Sequence, residues 1–180
     1  MDSPHGSRPS TGSRLEDFAG EVLHVERGRA ARARVVDEPA HGYAAVLEDR
    51  GWIVARIEAR SECGLRELVA AAFHLPVADL VRPMASQRVA AAAAALREFA
   101  HPVLESGARP PSRDRSLETD LHRLLLRLVQ AAAADGVGVG LLVDDAGELC
   151  AADLATVAAL SARAEEHRWP LQIVLAGLRT

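Results

Sequence analysis

The stretch Gly136–Cys150, GVGVGLLVDDAGELC, constrains this chain more than any other. Val139, Leu141, Leu142 and Val143 form a short apolar run, set between glycines and the pair Asp144-Asp145. Such a run fits a strand buried on both faces, where no polar alternation is needed. The two acids fall where that strand emerges at its carboxyl end. Ligands of open α/β sheets sit at that end, so Asp144 and Asp145 are candidate site residues. The alternative is structural: the pair starts a turn and caps the next helix.

The rest of the chain supplies elements around that strand. Met1–Arg14 is rich in Ser, Pro and Gly, the composition of a disordered tail. Phe18, Val22 and Val25 suit a helix within residues 15–29, although Val22, His24 and Glu26 also alternate as a strand does; the helix is the preferred reading. Residues 32–37, RARVVD, read as a short strand whose arginines argue for an edge. Asp37-Glu38-Pro39 is a helix-start signal, and the helix it opens runs to about Asp49. WIVARIEA, residues 52–59, is a second strand. A helix over residues 61–75 is expected to stop at Pro76, and a further helix within residues 78–99 to end near His101-Pro102.

Residues 105–115, ESGARPPSRDR, read as an internal surface loop rather than a domain boundary. Leu121, Leu124, Leu125, Leu128 and Val129 then recur at three and four residues, the strongest amphipathic signal in the chain. Another helix opens at Ala151-Ala152-Asp153, and LQIVLA, residues 171–176, is the last strand. Strands alternating with helices predict a three-layer α/β sandwich, its mostly parallel sheet of about four strands covered on both faces. Residues 15–180 are expected to form that single domain.

Composition narrows the function classes. Hydrophobic residues make up 49% of the 180 and aromatics only 3%, so the core must be built from Ala, Leu and Val. A net charge of −4 makes no case for nucleic acid or an anionic membrane. The basic stretch Arg27–Arg34 lacks the interleaved aromatics of a nucleic-acid surface and reads as a solvated edge. Cys63 and Cys150 lie far apart without metal-type spacing, and no two of the seven His show HxH or HxxxH spacing. With no signal-peptide core at the N-terminus and no apolar run near the ~20 residues of a membrane span, a cytoplasmic protein is expected.

From Leu117 to Gly177 the chain resembles the Walker B half of AAA-type and STAND-type ATPase domains of bacterial regulators. LHRLLLRLVQAAAADG matches their Leu-rich helix, and VGVGLLVDDAGEL their Gly-flanked strand ending in two acids. AADLATVAALSARAEEHRWP and LQIVLAGL match the helix and strand that follow. The resemblance implies a P-loop NTPase-like fold binding ATP and Mg. It makes Asp144 the magnesium-side acid and Asp145 the residue that handles the attacking water. An acidic LLVDD also opens response-regulator receiver domains, but no suitable Asp ends residues 171–176 here.

Two departures count against hydrolysis. The phosphate loop of such ATPases, G-x-x-x-x-G-K-[ST], cradles phosphate on backbone N–H groups and reaches it with Lys. Here the interval reads Val36-Asp37-Glu38-Pro39-Ala40-His41-Gly42, with one glycine and two acids, and the chain contains no Lys. In that interval His41 and Gly42 are the candidates to contact a nucleotide, imidazole being mostly neutral at pH 7, and Arg29, Arg32 or Arg34 are further sources of charge that nothing in the sequence places there. The resemblance stops short of the family's fifth strand and helical lid; their absence is an expectation that would leave the Arg-bearing first strand at an edge of the sheet and favour self-association. Two functions follow as expectations: a non-hydrolysing regulatory or protein-interaction module, or an ATP-binding enzyme whose phosphate site is rebuilt from Arg and His or completed by a partner.

Overall fold

The computed structural model of the protein describes residues 11–26, 33–80, 86–105 and 116–178. Four strands, β1 (Ala33–Val36), β2 (Ile53–Glu58), β3 (Val139–Asp144) and β4 (Leu171–Ala176), form one sheet in the order β1-β4-β3-β2. Every pairing is parallel. Six α-helices accompany them among the described residues: α1 (Thr11–Glu26), α2 (His41–Glu48), α3 (Leu65–Leu80), α4 (Gln87–Glu105), α5 (Leu117–Ala134) and α6 (Ala151–Glu166). The expected α/β architecture is therefore the one observed, and the Arg-bearing first strand lies at an edge.

Alternation along the strands divides the core in two. Val139, Leu141, Val143, Ile173 and Leu175 face α3, α4, α5 and α6, whose contributions include Phe73, Phe99, Leu124, Leu128 and Leu160. Val36, Leu142, Val174 and Ala176 face the opposite way, onto Phe18 and Val22 of α1 and Tyr43, Ala44 and Leu47 of α2. Handedness requires this split. The β1–α2–β2 connection runs across the sheet in one direction and the connections to β3 and β4 step back, so right-handed crossovers put their helices on opposite faces.

Two glycines read from sequence as strand boundaries have packing reasons instead. A Cβ on Gly140 would lie 2.6 Å from Leu47 Cδ1, so α2 packs on β3 at a distance where any side chain would make Leu47 shift. A Cβ on Gly138 would lie 2.6 Å from the Pro170 carbonyl oxygen and from the Trp52 ring. The glycines thus set the depth at which α2 and Trp52 sit on the sheet.

Helix ends are where the sequence misleads. Pro76 lies inside α3 and Pro102 inside α4; neither stops its helix. A proline removes one backbone donor and crowds the preceding turn, but buried Phe73 and Val77 flank Pro76 and buried Phe99 precedes Pro102, so core packing holds both turns helical. At the other end of the chain, α1 begins at Thr11, inside the stretch assigned to a disordered tail. Its Arg14 pairs with Glu38. The expected surface loop at 105–115 lies, beyond Glu105, outside the described residues, as do residues 1–10.

Candidate functional site

The carboxyl ends of β1 and β3 release the chain toward opposite faces, α2 on one side and α6 on the other, with β4 between them. That reversal is the position where open α/β sheets form a ligand crevice. Asp144 is the last residue of β3. Its parity with Gly140 and Leu142 points it toward α2, and its Oδ1 accepts the backbone N–H of Ala40 at 2.7 Å.

Ala40 is the N-cap of α2, has helical φ/ψ and has no side-chain oxygen of its own to offer. The first N–H groups of a helix lack internal partners and carry the positive end of its dipole. Asp144 supplies the missing acceptor from another strand. The pair was expected either to face a ligand or to cap the following helix; the helix that Asp144 caps is the one that follows β1.

Asp145 does something else. It is exposed, with φ 52° and ψ 38°, the left-handed conformation that Asp tolerates better than most residues. Its carbonyl accepts from Glu148 N at 2.8 Å, closing the single 3-10 turn Ala146–Glu148 that leads toward α6. Gly177, past the end of β4, sits under it: a Cβ there would lie 3.3 Å from Asp145 Cα. Gly177 also has φ +73° and donates its N–H to Val36 O at 3.3 Å. The ends of β1, β3 and β4 are thereby drawn together.

The β1–α2 connection spans Asp37 to Ala40, half the length of a phosphate-binding loop. Its Glu38 is held from two sides. Oε1 accepts the Tyr43 hydroxyl and Oε2 accepts Arg14 Nη1, each at 2.5 Å. The Tyr43 hydrogen bond, followed by backbone hydrogen bonding and Arg14, holds the Glu38 carboxyl below its ordinary range against the opposing effect of burial. Burial, then the Glu38 bond and charge, push the Tyr43 phenol up to about 12. Sequence reading missed this trio: Tyr43 and Glu38 are only five residues apart, but nothing in the sequence joins Arg14 to them. The one available signal was that the chain's single Tyr falls on the buried face of a short helix.

His41 and Gly42 are the first two residues of α2. His41 is exposed. Gly42 has a packing neighbour, since a Cβ there would meet Leu15 Cδ1 of α1 at 3.2 Å. The structure thus brings Asp144, Asp145, His41 and Gly42 to one end of the sheet, but the only hydrogen bond it describes between β3 and the α2 terminus is the Asp144 cap. Among the described residues no group of three or more His, Cys, Asp or Glu is placed to hold a metal ion, and no helix is long and apolar enough to cross a membrane. No protein-family model matches the chain, and no curated protein is significantly similar to it.

Proposed function

We propose that this chain is a degenerate AAA/STAND-like ATPase domain that no longer hydrolyses nucleotide and serves as a regulatory or protein-interaction module. One observation carries the reading: Asp144 Oδ1 lies 2.7 Å from Ala40 N. In a working site of this kind the corresponding acid holds a magnesium ion through water, and the helix terminus holds phosphate. Here the acid and the helix terminus satisfy each other. A phosphate entering this position would meet a carboxylate, and the α2 terminus would have to exchange an ideal internal acceptor for it.

The surroundings support the same conclusion. Glu38 adds a second carboxylate beside α2, held in its charged form by Tyr43 and Arg14, and the chain has no Lys to reach a phosphate. What remains is an α/β scaffold, the type of module on which protein contacts are presented.

Calorimetric titration of ATP with magnesium, on the wild type and on Asp144→Ala, tests the reading together with a hydrolysis assay. No heat and no turnover are expected in either protein. Micromolar binding that weakens in Asp144→Ala, or magnesium-dependent turnover that vanishes in Asp145→Ala, would overturn it in favour of an enzyme with a rebuilt phosphate site.

A further inference from the structure

The chain has two cysteines, Cys63 and Cys150, and the fold brings both to the end of the sheet that carries Asp144. Cys63 lies in the connection from β2 to α3, and Cys150 ends the connection from β3 to α6. β2 and β3 are parallel neighbours, in register up to Glu58 and Asp144, the last residue of each. Ala59 N carries the pairing one step further, onto Asp144 O at 2.9 Å. The two connections therefore leave the sheet side by side. Both run to the same face, where Leu65 at the start of α3 and Leu149 just before Cys150 are buried in one core.

A hydrogen bond ties the connections together beyond the sheet. The Leu65 N–H donates to Oδ2 of Asp153, in the first turn of α6, at 3.4 Å. Cys63 stands two residues before Leu65, and Cys150 one helical turn before Asp153, so the two cysteines flank a single contact.

Both are free thiols. Cys150 is the N-cap of α6, yet its side chain makes no capping hydrogen bond and the residue is exposed. Cys63 is half-buried, its N–H closing a turn onto Arg60 O at 3.0 Å. A disulfide needs Cα atoms within about 7 Å of each other. Residues 59–64 belong to no helix or strand, so Cys63 can adjust to that limit without disturbing β2, α3 or α6.

We infer that Cys63 and Cys150 form a reversible disulfide under peroxide, a redox clip across the two connections. Cys150, the more exposed, reacts first. Its Sγ attacks a peroxide oxygen, the S–O bond forms as the O–O bond breaks, and the released hydroxide leaves with the thiol proton as water. Cys63 Sγ then displaces the sulfenic hydroxyl. The S–S bond forms, the S–O bond breaks, and a second water carries off the Cys63 proton. The two sulfurs together lose two electrons, which the peroxide gains. A disulfide between accessible thiols is of the readily reduced, regulatory kind. The clip joins the starts of α3 and α6 beside Asp144 and Asp145, which makes this end of the sheet responsive to oxidant. It goes beyond the interaction-module reading and does not depend on it.

Peptide mapping by mass spectrometry, after a few equivalents of hydrogen peroxide and without reductant, tests it. The expected product is a monomer lighter by about 2 Da, with both thiols closed to alkylation and a Cys63–Cys150 linked peptide in the digest. Dithiothreitol should restore both thiols. Cys63→Ser is expected to leave Cys150 as a sulfenic acid that dimedone traps, whereas Cys150→Ser should leave Cys63 largely unlabelled. The wild-type map needs neither variant, so it decides the matter should a variant fail to fold. Disulfide-linked dimers through Cys150, higher oxidation of Cys150 in place of the bridge, or thiols that both stay free would each overturn the inference. None of these outcomes touches the hydrolysis reading, which fails only through nucleotide binding or turnover.

Discussion

The carboxylate of Asp144 and the backbone N–H of Ala40, 104 positions apart in sequence, meet at 2.7 Å across the end of the sheet. This contact makes β3 the capping partner of α2. It also accounts for a helix whose N-cap residue has no capping side chain. In a motif that resembles a cation site from sequence, one carboxylate oxygen is bonded to the protein's own backbone.

Replacing Asp144 by Ala is therefore expected to behave as the loss of a helix cap, destabilising the fold by roughly 0.5–2 kcal/mol. Asp144→Asn retains an acceptor and should recover part of that loss. Asp145→Gly should be neutral or stabilising, because glycine adopts a φ of 52° without the strain of a Cβ. Urea unfolding of the three variants checks the order. Equal losses at both positions would contradict the separation of roles.

Gly138→Ala, just before β3, and Gly140→Ala, inside it, are both expected to destabilise, although alanine ordinarily improves on glycine in extended backbone. Overpacking a close-packed region costs about 1–3 kcal/mol. The two should differ in size. The atom opposing a Cβ at Gly140 is the end of the Leu47 side chain, which can move within its rotamer wells, whereas Gly138 opposes the Pro170 backbone carbonyl. Gly138→Ala should thus be the more damaging, as thermal melts of the single variants would show.

The strands were legible because their apolar runs are bounded by Gly, Pro or acids, and because buried parallel strands need no polar alternation. Residues 139–143 and 171–176 read correctly for that reason, and α5 for its recurrent leucines. The edge position of β1 was legible from its arginines, but their use was not: Arg34 turns inward to Glu21 instead of guarding the edge. Pro76 and Pro102 were misread as stops because local backbone preference was set against tertiary packing that the sequence does not display. The Ala40–Asp144 cap and the Arg14–Glu38–Tyr43 trio were illegible for a similar reason. The cap joins residues whose proximity exists only once the sheet order is fixed, and the trio needs α1 packed beside the β1–α2 connection to bring Arg14 to Glu38.

On the other face of the sheet, Arg66 Nη2 bonds Asp120 Oδ2 at 2.8 Å and Arg66 Nη1 bonds Phe99 O at 3.0 Å. The guanidinium also lies 4.8 Å from the Phe99 ring centroid. This pair links α3, α4 and α5 where both charges are largely withdrawn from water. Arg66→Ala strands the Asp120 carboxylate and is expected to cost about 3–5 kcal/mol. The double variant Arg66→Met/Asp120→Leu removes both charges and should be markedly less damaged than Arg66→Ala. A double-mutant cycle by chemical denaturation measures that coupling; additive losses would show that the pair does not act as a unit.

Stability should fall at both ends of the pH scale, with different residues responsible. Burial, and then the charges of Arg163 and His167, lower the pKa of His122, whose ring packs 5.1 Å from that of Trp169. A base with a lowered folded pKa binds its proton less readily than the unfolded chain does. Its contribution is present above the unfolded value of about 6.5 and is lost as pH falls toward the folded one. Glu38, held low chiefly by Tyr43, contributes above its unfolded value near 4.5 and loses that contribution as pH falls through its folded pKa. Tyr43 acts at the alkaline end. With its pKa at about 12 in the fold, against an ordinary 10.0, its contribution holds below pH 10 and is lost as pH rises from there toward 12. Tyr43→Phe should lower stability at neutral pH by about 1–2 kcal/mol through the lost bond to a charged carboxylate, while flattening the alkaline arm of the profile. His122→Gln should flatten the acid arm between pH 6.5 and Glu38's range without altering the alkaline one. Denaturation midpoints measured across pH for the wild type and both variants separate these contributions. An alkaline arm unchanged in Tyr43→Phe would show that another group controls it.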